Sequence, residues 1–232
     1  MKDKGIGSPL AGRRGVAASG NGGRWRAALA LSLAGVVLAS CQQNPLRVTR
    51  SPCPAAAIPA HVGSITRFDP PQSRDADAID FSAQLVDFRT TCLEGPEMLV
   101  TEVRYRVTAQ RRERPGRGLP AREETLPIFV SLVQGGNVLV AKQLTAVRLN
   151  WADGQLRATG EGVVRADVAR AATTPPPEIL ERLTRERKAS DPDALVDPMS
   201  DPLVRAAVRA ATFEVLVGFQ LDDASLAYNI VR

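Results

Sequence analysis

Apolar and polar residues alternate with a period of two through most of the chain beyond residue 60. Ile79, Phe81, Ala83 and Leu85 alternate with polar neighbours, as do Val103, Tyr105, Val107 and Ala109, and then Leu126, Ile128, Val130 and Leu132. That period sends successive side chains to opposite sides of a pleated strand, so each stretch reads as a strand with one buried face. Val62 to Phe68 reads as the first strand. Pro127 suggests an edge position or a bulge, because proline cannot donate to a ladder. Gly135-Gly136-Asn137 is a hairpin signal leading into a strand over Val138 to Leu149. Trp151-Ala152-Asp153-Gly154 turns the chain before Leu156 to Val168, where Gly160-Glu161-Gly162 reads as a bulge and not as a phosphate loop. Phe213, Val215, Val217, Phe219 and Leu221 give the cleanest alternation of all. These strands predict a mainly β fold over residues 61–232, a single antiparallel β-sandwich of immunoglobulin-like plan.

Two segments break the period. Residues 111–122 form a charged loop between strands, with Arg111, Arg112, Arg114, Arg117 and Arg122 interspersed with proline and glycine. Its guanidinium groups make it a candidate binding loop for phosphorylated headgroups or an acidic partner, through charge-assisted hydrogen bonds. Residues 173–211 predict a helical crossover inserted before the last core strand. Pro175-Pro176-Pro177 opens a first helix, whose Glu178, Glu181, Arg182 and Arg185 offer i,i+4 pairs. Asp201-Pro202 opens a second, as N-cap and first helical residue. After Asp222-Asp223, residues 225–230 fit either a short strand or a capped helical turn.

The first forty residues have a different organisation. A basic, glycine-rich leader precedes an apolar run from Ala27 to Ala39, a length suited to a signal-peptide core and too short for a membrane span. The run ends Leu38-Ala39-Ser40-Cys41. This resembles the lipobox of bacterial lipoproteins. The resemblance implies diacylglyceration of the Cys41 thiol, cleavage before it and anchoring through the attached lipid, with residues 1–40 removed as the signal peptide. Two or three acyl chains, at about 0.8 kcal/mol per buried CH₂, make such an anchor effectively permanent. Gln42 stands where an aspartate would favour the inner membrane, so the resemblance implies a periplasm-facing protein of the outer membrane. Arg13-Arg14 lacks the bulky apolar neighbour of a twin-arginine signal, which favours ordinary export.

Charge changes the picture once the chain is divided at Cys41. Of 30 basic and 25 acidic residues, six bases and one acid precede that cysteine, so the two signs balance in the remainder. The basic character belongs to the leader, and no nucleic-acid partner is expected. Residues 41–60 read as the lipidated cysteine and a Pro/Ala-rich tether. Cys53 lies within it, and its partner in the exported chain would be Cys92, since an oxidising compartment favours a disulfide over two free thiols.

No catalytic constellation emerges. His61 is the sole histidine, no nucleophile elbow is present, and paired carboxylates such as Asp222-Asp223 read as a turn. Asp75-Ala76-Asp77-Ala78-Ile79-Asp80 lacks the glycine and distal glutamate of a calcium loop. Neither a cofactor nor a metal is expected. The expectation is a lipid-anchored interaction or envelope-assembly module with a protein partner. The alternative is a carrier holding a small apolar or lipid-like ligand between the sheets.

Overall fold

Alternate side chains of eight strands meet in one apolar layer between two sheets. The computed structural model describes residues 51–231 other than 117 and 189; Cys41, the lipobox and the leader lie outside the described residues. In chain order the elements are β1 (Ala55–Ala57), β2 (Ser64–Phe68), β3 (Ile79–Glu94), β4 (Met98–Arg111), β5 (Arg122–Gln134), β6 (Val138–Trp151), β7 (Arg157–Ala169), α1 (Pro177–Thr184), α2 (Pro202–Ala210), β8 (Phe213–Phe219) and α3 (Asp223–Val231). One sheet has the order β1-β8-β5-β6 and the other β2-β3-β4-β7. Every pairing is antiparallel except that of β1 with β8, which is parallel. The fold is therefore mainly β and sandwich-like. The immunoglobulin-like expectation does not extend to strand order: β2, β3 and β4 form a meander in one sheet, whereas an immunoglobulin domain moves its third strand to the other.

The core is built by the alternating residues. Ile65, Phe81, Val103 and Val107 face inward from one sheet, and Leu126, Ile128, Leu149, Val215 and Phe219 from the other, all essentially inaccessible to solvent. Burying such side chains stabilises by about 1.5–3 kcal/mol each relative to exposure. Phe81 and Trp151 meet edge to face from opposite sheets, with ring centroids 5.4 Å apart.

Four sequence expectations need correction. β1 lies inside the stretch read as a tether; three alanines there offer no alternation, yet they pair with Glu214, Val215 and Leu216. β3 runs on to Glu94, because a register shift between Val86 and Arg89 reverses the parity and hides the second half from a period-two search. Asp87 takes up the bulge with φ +50°. Pro127 is neither on an edge strand nor at a bulge. It lies in β5 between β8 and β6, one residue beyond the β8 ladder, where its carbonyl accepts from Gln220 N–H at 2.9 Å. Gly160 and Gly162 do not form a bulge either, since β7 pairs with β4 without a break from Ala169 to Arg157. Both are required by close approach: a Cβ on Gly162 would lie 2.3 Å from the Tyr105 ring, and one on Gly160 would lie 2.4 Å from the Arg148 carbonyl oxygen.

The disulfide joins Cys53 to Cys92, with Cα atoms 6.2 Å apart. Cys53 lies two residues before β1 and Cys92 belongs to β3, so the bond ties the two sheets together. The closed loop restricts the unfolded chain by about 4 kcal/mol in the chain-entropy account.

Helices α1 and α2 lie between β7 and β8. Pro177 occupies the first turn of α1, and Asp201 caps α2 by accepting from Leu203 N–H at 2.8 Å. That N–H and the Arg182 guanidinium hold the Asp201 carboxyl below its ordinary range. Arg182 and Arg185 reach Asp201 and Asp193, carboxylates farther along the chain than the i,i+4 partners expected from the sequence. The segment after Asp222-Asp223 is the helix α3, capped by Asp222, which accepts from Ser225 N–H at 2.7 Å. It docks along β2: Tyr228 meets Phe68 edge to face at 5.1 Å, and the Asn229 amide donates to the carbonyls of His61 and Ser64, both at 2.8 Å.

Gly162→Ala should destabilise the chain by about 1–3 kcal/mol, as forced overpacking does. In the Tyr105→Leu background the penalty should shrink, because the clashing ring atoms are gone; urea unfolding of the four variants measures the coupling. A second expectation concerns Glu102, mostly buried on the outer face of β4 and bonded to Arg165 and Arg104 at 2.8 Å each. Arg165 first, then Arg104, hold its carboxyl below the ordinary range. A depressed pKa gives stability that is present above the unfolded value and lost as pH falls through the folded one. The stability margin of wild type over Glu102→Gln should be full near neutrality and vanish in acid.

Candidate interaction surface

Sheet edges expose unpaired backbone groups, and three of the four edges here are short, covered or charged. β1 has three residues. α3 lies along β2. β7 carries Arg157, Glu161, Arg165 and Asp167. The fourth edge is β6, whose first nine residues are all exposed, with lysine as their sole charge (Val138-Leu139-Val140-Ala141-Lys142-Gln143-Leu144-Thr145-Ala146).

The geometry of this segment follows from the hairpin. Gly135 and Gly136 adopt φ +62° and +82°, the left-handed pair that a tight hairpin turn requires. Leu126, Ile128, Val130 and Leu132 of β5 face the core, and their partners on β6 are Val147, Thr145, Gln143 and Ala141. Val147 is buried, as are Leu149 and Trp151. From Thr145 to Ala141, however, the same inward parity is solvent-exposed, so the strand overhangs the sandwich. Val138, Leu139, Val140 and Leu144 are each at least half exposed.

Which backbone groups are open can be deduced from Pro127. Its carbonyl points to β8, and residues in an antiparallel ladder turn both groups to alternate sides. The even-numbered residues 126–132 of β5 therefore bond to β6, and Val147, Thr145, Gln143 and Ala141 complete that ladder. Lys142, Leu144, Ala146 and Arg148 direct N–H and C=O to the other side. Arg148 is covered there by Gly160. Lys142, Leu144 and Ala146 have no backbone partner among the described residues. A register shift between Leu132 and Val133 leaves Val140 as the extra residue that ends this open stretch. The Lys142 ammonium lies 5.4 Å from the Phe129 ring centroid, on the outer face of the sheet.

Beside the hairpin tip, α2 forms the far wall of a cavity of about 500 Å³, bounded by Gln134, Gly135, Val138, Pro202, Arg205 and Arg209. The wall is fixed by Gln134 Nε2 donating to the Ala210 carbonyl at 2.7 Å and Gly135 N–H to that of Thr212 at 2.9 Å. Among the described residues that line this cavity there is no carboxylate, histidine or nucleophile. Among the described residues no three His, Cys, Asp or Glu side chains gather into a metal-holding group. His61 is exposed, with φ +66° and Nδ1 3.2 Å from the Asn229 carbonyl.

The arginines of the candidate binding loop are distributed differently from the sequence expectation. Arg111 is the last residue of β4 and is buried. Its guanidinium donates to the carbonyls of Pro120 (2.6 Å), Gln155 (2.7 Å), Leu119 (3.0 Å) and Ala152 (3.3 Å), so it clamps two turns instead of facing a ligand. Arg112 reaches the Ala76 carbonyl and Asp77, and Arg114 reaches Asp69 at 2.7 Å. Arg122, the first residue of β5, bonds Asp80 at 2.7 Å and also Glu124. Burial pulls the Arg122 pKa down, but Glu124 and Asp80 outweigh it and hold it above the ordinary value. Arg117 lies outside the described residues. Arg112, Arg114 and Arg122 are thus paired with carboxylates of the same chain, a pairing that alternating arginines in a sequence do not announce.

No family model, curated protein or solved structure matches the chain.

Arg111→Ala should cost about 3 kcal/mol, because it removes a charged donor and leaves buried carbonyls unpaired. Arg112→Ala, at an exposed position, should stay within about 0.5 kcal/mol of wild type. Denaturant unfolding of the two variants separates the clamp from its surface neighbour.

Proposed function

We propose that this chain is a non-catalytic interaction module, anchored through a lipid on Cys41 at the periplasmic side of the outer membrane, with protein as its partner. The observation that carries the proposal is the overhanging β6 edge. Its three open backbone positions and apolar side chains suit strand addition, where main-chain bonds supply affinity and alternate side chains supply specificity. The lipobox ending in Cys41 supports the anchor, and the disulfide suits an oxidising compartment. In this reading the segment 173–211 is a helical insertion that braces the hairpin tip, through the contacts of Gln134 and Gly135 with the end of α2 and Thr212.

The filled space between the sheets favours an interaction module over a carrier. Trp151, Phe81, Phe219 and their neighbours occupy it, while the cavity beside α2 lies at the hairpin tip.

Cys41→Ser should leave an unprocessed precursor without lipid. Mass spectrometry of the membrane fraction checks this: a mature, membrane-bound Cys41→Ser product of the same mass as wild type, corrected for the substitution, would exclude lipidation at Cys41.

A further inference from the structure

The open stretch of β6 is complementary to itself. Its open positions 142, 144 and 146 are evenly spaced about Leu144, and a two-fold axis through Leu144 would place a second β6 antiparallel to the first. Lys142 would then lie opposite Ala146 of the second copy and Leu144 opposite its counterpart, each pair exchanging two backbone hydrogen bonds. Gln143 would face Thr145 between them, a polar pair on one side of the new ladder. No like charges meet in this register, whereas an axis at Lys142 would oppose two ammonium groups. The pairing also stops where the fold requires it. Beyond Ala146, β7 covers the Arg148 carbonyl through Gly160, and Val140 bends the approaching strand at the corresponding point of the second copy.

From this geometry we infer that two copies of the chain associate through β6, in antiparallel register about Leu144, joining two four-stranded sheets into one of eight strands. This rests on the reading of the β6 edge as a docking surface, and it commits that surface to a second copy. A symmetric interface of this kind is self-complementary by construction. It is also small, so the isolated chain should associate in the micromolar range and not more tightly.

The test places a photo-crosslinking amino acid at position 144 of the full chain, in the cell that makes it. The expected product is a covalent dimer of the chain, which disappears when Ala146→Pro removes an open-side N–H without disturbing the ladder to β5. Because a proline variant can fail to fold, Ala146→Lys at the same exposed position is the second disrupting variant. It would set a lysine opposite Lys142 of the other copy and should also abolish the dimer, and adding Lys142→Glu should restore it; a dimer that survives Ala146→Lys would overturn the register. In parallel, Leu144→Cys in the full chain should oxidise to a disulfide-linked dimer, since hydrogen-bonded partners lie about 5.5 Å apart between Cα atoms. Wild type, which also carries Cys41, is the control and should give none through β6. An adduct with a different protein at position 144 would overturn self-pairing while leaving β6 a docking surface. Absence of any adduct, with a purified chain that stays monomeric by light scattering to about 1 mM, a thousandfold above the expected range, would overturn both.

Discussion

Phe81 and Trp151 come from different sheets and meet at the end of the sandwich where β4 passes to β5 and β6 to β7. Arg122 lies over the Phe81 ring at 5.3 Å and Arg111 lies 5.9 Å from the Trp151 ring centroid, so the aromatic pair has cations at its margins. Closing the sheets on this pair sets much else. β6 must approach β7 closely enough that Gly160 carries no side chain, and the turns at Leu119-Pro120 and Ala152 must point their carbonyls toward Arg111. At the other end the restraint is covalent and lies at the β1 corner, where Cys53 meets Cys92. The corner occupied by the β5–β6 tip has neither device. There β5 stays buried through Val133, but the inward parity of β6 passes into solvent at Thr145.

This distribution of restraints accounts for the arginines. In a chain whose charges balance beyond Cys41, a guanidinium is more useful as a hydrogen-bonding fork than as a net charge, and Arg111 uses it on four carbonyls. Glu102 between Arg104 and Arg165, and Arg106 between Asp87 and Glu161, repeat the principle on the outer face of the β2-β3-β4-β7 sheet. The Arg106 pairs are solvent-exposed and contribute little individually, unlike those of the buried Glu102. They do make the β7 edge a poor template for another strand, which is the contrast that isolates β6.

The strands were legible in the sequence wherever one face is buried throughout, as in β4, β5 and β8, because burial imposes a strict period. Legibility failed where the physical cause is not periodic. β1 is held by a neighbouring strand and a disulfide, not by its own apolar pattern, and the second half of β3 follows a bulge that reverses its parity. Arg111 is indistinguishable in sequence from Arg112, since burial at the end of a strand is decided by which carbonyls converge there. Pro127 misled for a similar reason: its missing N–H faces the side where the β8 ladder has already ended. The overhang did leave a trace. At Thr145, Gln143 and Ala141 the inward positions of β6 turn polar or small, while Val138-Leu139-Val140 runs apolar without alternation. That combination marks a strand that has left the core yet kept apolar side chains.

The small size of the open stretch is easier to understand for a tethered protein than for a free one. With a lipid on Cys41, the chain up to Cys53 is about a dozen residues and reaches roughly 40 Å when fully extended. Beyond Cys53 the disulfide fixes the chain to both sheets, so no further slack is available. Copies held within that distance of one membrane surface meet at an effective concentration far above that of the same molecules in solution. Three residue pairs on an edge strand then suffice for association that a dissolved domain would achieve only at high concentration. A longer or more apolar edge would carry a penalty before anchoring, because an unpaired strand of that kind is an aggregation site during export. Lys142 and the bulge at Val140 keep the open stretch short, which under the proposed lipid anchor reconciles an exposed edge with a chain that would have to reach a membrane unpaired.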